Sequence, residues 1–230
     1  MKKITIISLF LTVFAFQTRS QNVVALGANS FGIYGGITFQ NINGVNAGGD
    51  KLSNSLVPRF IIGINEEFPI APDFFIQAGL QFISKGTEGN VNFTDNSGTN
   101  TLKRNLSLYY IESPVNLVYK PYLGTGHLIL AFGPYVGYAL AGNAKFTGNN
   151  SPADKDLEFV SDAPNSDVNN LVYYKRWDIG ANFSFGYEFS NGISTLLTTQ
   201  LGLVNINSNT SSKLAESNTG FGLLVGYRFL

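Results

Sequence analysis

The sequence predicts an all-β protein, an eight-stranded antiparallel transmembrane β-barrel, and three observations carry that prediction. The stretch Thr219–Leu230 places Phe221, Leu223, Val225, Tyr227 and Phe229 on one face and Gly220, Gly222, Gly226 and Arg228 on the other. A soluble sheet turns its apolar face to a core, whereas a barrel in lipid has a greasy exterior and a polar interior, so a charge among glycines opposite a row of aromatics suits lipid. The connections between strands also alternate along the chain, short then long, as in barrels with short periplasmic turns and long outer loops. Finally, nothing beyond the N-terminal segment is apolar enough for a membrane helix, so strands must do any spanning.

The chain starts with Met1–Ser20, in which Lys2 and Lys3 precede the apolar block Ile4–Phe16 and small residues, Thr18 and Ser20, lie three and one before Gln21. That is the pattern of a secretory signal peptide. The alternative, an uncleaved anchor, is disfavoured because the apolar run falls short of the roughly 20 residues a spanning helix needs. The mature barrel domain is therefore expected over residues 21–230.

Period-two alternation bounded by turn residues gives the strands Phe31–Gln40, Leu56–Phe68, Phe74–Lys85, Leu106–Tyr119, His127–Ala141, Tyr173–Phe189, Ile193–Leu203 and Thr219–Leu230. The first sets Phe31, Ile33, Ile37 and Phe39 against Gly32, Tyr34, Gly36, Thr38 and Gln40. The third sets Phe74, Ile76, Leu80 and Phe82 against Gln77, Gly79, Gln81 and Lys85. The sixth sets Trp177, Ile179, Phe183, Phe185, Tyr187 and Phe189 against Arg176, Asp178, Asn182, Ser184 and Glu188. The seventh is less charged, with Ser194, Thr198, Gln200 and Gly202 opposing Leu197, Leu201 and Leu203. Pro69–Asp73, Lys120–Gly126 and Ser190–Gly192 read as short turns. Asn41–Ser55, Gly86–Asn105, Gly142–Val172 and Val204–Asn218 read as long polar loops. An even strand number puts both termini on the short-turn, periplasmic side.

The inward positions collect Arg59, Lys85, Arg176 and Arg228 against Glu67, Glu112, Asp178 and Glu188, a balanced set. An eight-stranded barrel is only wide enough for side chains to fill, and a buried charge is tolerated when paired and hydrogen-bonded. These residues are expected to form an interior network that plugs the lumen, with inward glycines such as Gly32, Gly137 and Gly220 making room for the long arms. A structural duty is the favoured reading, and a proton path or ion site is the other.

Charged and aromatic residues each make up 13% of the 230 residues, which excludes a disordered chain. The formal net charge is zero and the basic residues are scattered, so no nucleic-acid partner is expected. Cysteine is absent, which rules out disulfides, thiolate metal sites and a lipidated cysteine. The single histidine, His127, follows a short turn, the wrong end of the barrel for chemistry on outer-leaflet lipid, and reads as interfacial. Gly124-Thr125-Gly126 neither opens a helix nor belongs to a βαβ unit, so it is a turn and no phosphate loop. Asp154, Asp156, Glu158, Asp162 and Asp167 offer oxygen ligands but lack the spacing of a calcium loop. Tyrosines near strand ends, with Trp177, read as an interfacial girdle. No catalytic residue, cofactor or bound metal is expected.

Six segments in order, FGIYGGITFQNING at Phe31–Gly44, PRFIIGINEEFPIAPDFFIQAGLQFISKG at Pro58–Gly86, LYYIESPVNLVYKP at Leu108–Pro121, LAFGPYVGYALAG at Leu130–Gly142, KRWDIGANFSFGYEFSNG at Lys175–Gly192 and GYRFL at Gly226–Leu230, make the chain resemble the Bacteroidetes-type outer-membrane β-barrel family called porin-like or PorT-like. The resemblance covers nearly the whole mature chain. It implies an outer-membrane barrel inserted by the barrel-assembly machinery, although the chain ends on Leu230 after the aromatic Phe229. Some members resemble accessory parts of type IX protein secretion. The function expected is a structural, adhesive or complex-forming one exercised through exposed loops, with a secretion subunit or a narrow solute channel as alternatives. The expected surroundings are outer-membrane lipid and lipopolysaccharide, together with an outer-membrane protein complex.

Overall fold

The computed structural model describes residues 28–45, 49–95, 98–148, 151, 153–162, 173–208 and 215–229. The expected signal peptide lies outside them. Eight strands form the wall: β1 Ser30–Val45, β2 Val57–Ala71, β3 Phe74–Asp95, β4 Gly98–Tyr119, β5 Gly126–Thr147, β6 Trp177–Glu188, β7 Ile193–Gly202 and β8 Ala215–Phe229. Each pairs antiparallel with its sequence neighbours. The ring closes where β1 pairs with β8, from Phe31 opposite Phe229 to Val45 opposite Ala215. Closure leaves no sheet edge in the membrane, the condition for strands to cross lipid. No helix is long and apolar enough to cross a membrane among the described residues.

Short turns join the strands at one end. Between β2 and β3 the chain reverses over Pro72-Asp73, where proline presets the first turn position and Asp73 takes a φ of 62°. Between β4 and β5, Tyr122–Leu123 pairs back on Gly126 and His127 around Gly124-Thr125, so this glycine-rich stretch is a turn. Between β6 and β7, Gly192 has a φ of 84°, and a Cβ there would lie 2.6 Å from the Arg228 carbonyl.

A continuous apolar belt covers the outside. Ile37, Ile62, Phe132, Leu197 and Val225 are all more than half exposed, at 59%, 61%, 60%, 59% and 55%. On β4 the outward residues Tyr109, Ile111, Ser113, Val115, Leu117 and Tyr119 cover eleven positions, within the 9–11 residues of a tilted spanning strand. Aromatic rings stack across the strands of the belt, Phe39 on Phe221 at 5.4 Å and Phe74 on Tyr119 at 4.7 Å.

Three strands continue far beyond the belt. β3, β4 and β5 are each 22 residues long, about 70 Å at a strand's rise, against an apolar band of about 25 Å. The segment Gly86–Asn105, expected as a polar loop, is therefore mostly an extension of the β3–β4 hairpin, paired from Gly86 opposite Ser107 to Asp95 opposite Gly98. The start of the next expected loop is likewise the end of β5. The alternation of β5 breaks at Leu140: Tyr110 lies opposite Ala139, but Tyr109 lies opposite Ala141. One extra residue in a strand makes a bulge. It moves the inward set from Gly137 and Ala139 to Gly142, Ala144 and Phe146, which in sequence looks like the end of a strand.

Inside this projection lies an apolar core. Ile42, Ile83, Leu106, Leu108, Tyr110 and Ala139 pack with Phe146, Leu157, Tyr174 and Ile206, all nearly inaccessible. Connections fold inward to complete it: Lys155–Asp156 pairs with β5, Tyr173–Tyr174 runs parallel to Glu158–Phe159, and the Lys175 amide donates to the Ile206 carbonyl at 2.7 Å. The mouth at the long-loop end is thus capped.

Candidate functional site

The polar interior is built by the positions opposite the lipid face, and two groups of its ionised residues are ion-paired. In the first, Lys85 of β3, Glu112 of β4 and Asp178 of β6 meet below the apolar cap. Lys85 Nζ lies 2.6 Å from Glu112 Oε1 and 2.9 Å from Asp178 Oδ2. The ammonium sits 4.3 Å from the centre of the Tyr135 ring and donates to the Tyr135 hydroxyl at 3.2 Å. Amides complete the carboxylate shells: Gln81 and Gln200 donate to Glu112 Oε2 at 2.7 and 3.1 Å, and Asn218 donates to Asp178 Oδ2 at 2.9 Å. One cation thus holds two carboxylates, and the neutral donors disperse the excess negative charge.

The second group closes the short-turn end. Arg228 Nη2 is 2.7 Å from Glu67 Oε1, and its Nε is 3.2 Å from Glu188 Oε2. Lys120 Nζ spans the same two carboxylates, at 3.1 Å from Glu67 Oε2 and 2.8 Å from Glu188 Oε1. Two cations and two anions alternate around a ring contributed by β2, β6, β8 and the end of β4. Gly32 makes room for it, since a Cβ there would lie 2.7 Å from Asn65 Oδ1 and 3.3 Å from an Arg228 nitrogen.

Between the two groups lies a cavity of about 70 Å³ walled by Tyr34, Thr38, Gln40, Gln77, Asn116 and Gln200, among others. Oxygens of Thr38, Gln40, Asn116 and Gln200 have no protein partner there. A polar chamber of this size suits a few ordered waters, each needing roughly 10–15 Å³ and two to four polar partners. It lies between the ion-paired ring at one end and the first group and the apolar cap at the other.

Six of the eight inward charges expected from sequence, Glu67, Lys85, Glu112, Asp178, Glu188 and Arg228, stand in these groups. Arg59 stands apart. It is half-buried and donates to the Lys85 and Leu106 carbonyls, to Asn105 Oδ1 and to Ser107 Oγ, with no carboxylate within ion-pair distance among the described residues. It ties β2 to β3 and β4 where the β2–β3 pairing stops at Ile61 opposite Ile83. Arg176 is outside the lumen altogether. The expected strand from Tyr173 breaks at Lys175-Arg176, where the chain turns off the wall to cross the mouth, so the alternation that assigned Arg176 inward does not reach it. Lys120 was missed because it reads as part of a turn, yet it continues the even-numbered inward set of β4, which was the available signal.

His127 is at the short-turn end with its ring 4.3 Å from that of Tyr122. Among the described residues no cluster of three or more acidic, histidine or cysteine side chains gathers to hold a metal, and Asp167 lies outside them. In the cap, burial pushes the Tyr174 phenol above its ordinary value against the pull of Arg104. Above the belt, the Lys103 ammonium hydrogen-bonds the Glu88 carboxylate at 2.8 Å and lowers its pKa.

A closed antiparallel ring with an apolar exterior and an ion-paired interior defines a transmembrane β-barrel of the outer-membrane class. The family model described as outer membrane protein beta-barrel domain matches residues 17–226, and the chain belongs to that family. No curated protein matches the chain. Among solved structures it is similar to Ail, the attachment invasion locus protein of Yersinia pestis, crystallised alone and with the heparin analogue sucrose octasulfate. The complex is 15% identical, covering 88% of this chain and 100% of that one, with a TM-score of 0.41. The protein alone gives 13% identity, the same coverages and a TM-score of 0.42. The outer membrane protein OprG of Pseudomonas aeruginosa is 14% identical over 88% of this chain and 96% of its own, with a TM-score of 0.36.

Proposed function

We propose that this barrel is a closed, non-conducting scaffold of the outer membrane that presents the β3–β5 projection as an adhesive or complex-forming surface, and that it is not an enzyme. The observation that carries the reading is the threefold obstruction of the lumen by the Arg228–Glu67–Lys120–Glu188 ring, the Lys85–Glu112–Asp178 group and the apolar cap. A solute would have to break buried ion pairs, each costing about 3–5 kcal/mol when one partner is lost. The projection favours a surface role, since three strands are ordered well beyond what a membrane span requires.

In this reading residues 1–20 are cleaved as a signal peptide, both termini face the periplasm and the projection faces out, amid lipopolysaccharide. The barrel-assembly machinery inserts the chain. The ordered segments from Phe31–Gly44 to Gly226–Leu230 support placing it with the PorT-like barrels, whose accessory role in type IX secretion is the alternative role for the same surface. Two measurements test the proposal. In planar bilayers the purified protein is expected to give no steady conductance, and stable single-channel steps in the wild type would refute a closed scaffold. Affinity purification from gently solubilised outer membranes, followed by mass spectrometry, is expected to recover stoichiometric partners that are lost when residues 87–105 are replaced by a short turn. Retention of the same partners would move the interaction to the barrel wall.

A further inference from the structure

We propose that Arg176 is a lipid-phosphate site on the outside of the barrel, its ligand a phosphate of lipid A, the membrane anchor of lipopolysaccharide. Arg176 is exposed and immediately precedes Trp177, the first residue of the apolar run of β6, itself 53% exposed. This places it at the loop-end rim of the belt. Its guanidinium carbon lies 5.6 Å from the centre of the Tyr138 ring and 5.1 Å from that of Phe159. Tyr138 in turn packs edge-on against Trp177 at 5.1 Å. The cation is thus held on an aromatic seat of the kind that sits at headgroup depth.

Its hydrogen bonding is mostly uncommitted. Arg176 donates to the Ala139 carbonyl at 3.3 Å, and among the described residues no carboxylate lies within ion-pair distance. The buried cations Lys85, Lys120 and Arg228 each hold carboxylates. A planar guanidinium with free N–H groups at the level of the headgroups matches two oxygens of one phosphate. Lysine does so only as a point charge. Lys145 is exposed but lies on β5 seven residues beyond Tyr138, past the Leu140 bulge and clear of the belt, and serves as a control.

The choice of lipid A rests on the proposed orientation, with the projection outward. Trp177 is the only tryptophan of the chain and reports on the site directly. The protein is folded into phosphatidylcholine vesicles containing either diphosphorylated lipid A or its dephosphorylated form, and tryptophan emission is recorded. A shift specific to the phosphorylated lipid is expected, abolished in Arg176→Ala, partly kept in Arg176→Lys and unchanged in Lys145→Ala. Folding of each variant is checked by its heat-modifiable mobility in detergent gels. Phosphatidylglycerol vesicles separate a lipid A site from a general phosphate site: an equal shift there overturns the assignment to lipid A. No difference between the two lipid A forms, or an undiminished shift in folded Arg176→Ala, overturns the site altogether. Vesicles carry the same lipid in both leaflets, so the result does not depend on orientation. That reading fails separately, if loops of intact cells resist added protease while lysed cells do not.

Discussion

Strand β4 runs through two solvents without changing the way it faces. Its even-numbered residues point inward from Leu102 to Val118, and its odd-numbered residues point outward from Thr101 to Tyr119. Below Tyr109 the outward set is Ile111, Ser113, Val115 and Leu117, and the inward set holds Glu112 and Asn116. Above it the outward set is Thr101, Lys103, Asn105 and Ser107, and the inward set is Leu102, Arg104, Leu106 and Leu108, three leucines around one buried guanidinium. Its register on β3 is the same in both halves, while its pairing with β5 steps by one residue at the Leu140 bulge. On β4 itself the membrane boundary is written in side-chain polarity: in lipid the greasy face turns out, and in water the same strand hides it. The lower half resembles a barrel wall, the upper half one sheet of a soluble core.

The largest effect should come from the buried triad at the junction of the two halves. Lys85→Met leaves Glu112 and Asp178 without their shared cation, a loss of about 3–5 kcal/mol, expected as a collapse in folded yield and in the urea midpoint. Adding Glu112→Gln and Asp178→Asn should recover most of it, and failure to recover would mean that packing and not charge is at fault. The next pair tests the two solvents directly. Val115→Arg, near the middle of the belt, should cost about 2–4 kcal/mol, while Thr147→Arg, outward at the far end of the neighbouring β5 and above the belt, should change stability by less than about 0.5 kcal/mol. Equal costs would move the boundary. The smallest effect concerns the exposed pair Lys103–Glu88. The folded state lowers the Glu88 pKa, so any stabilisation is present above its unfolded value and is lost as pH falls through the lowered one. Being at the surface, Glu88→Gln should leave the unfolding midpoint unchanged at neutral pH, and a clear drop would show that the projection leans on this pair.

The same inversion explains what was legible in the sequence. Within the belt, alternation located all eight strands, because large apolar residues recur at every second position, as in Phe221 to Phe229. Beyond the belt, outward positions carry small polar residues such as Ser107 and Asn105, so the upper strands look like loop. The interior charges were legible wherever the strand ran straight, which is why Glu67, Glu112 and Asp178 were found. They failed where the backbone departs from the wall, as at Arg176, or continues past an apparent turn, as at Lys120. Local alternation carries no information about either.

The seam between β1 and β8 has a consequence for the order of events in folding. Phe31 finds Phe229 across nearly the whole length of the chain, and such distant pairings exact their loop-closure entropy before any reward arrives. Until the final strand docks, the sheet exposes two raw edges, each able to capture a strand from another molecule. The finished cylinder is thus insulated from its neighbours by its last hydrogen bonds, and the unfinished one is a hazard to every other copy until that seam forms.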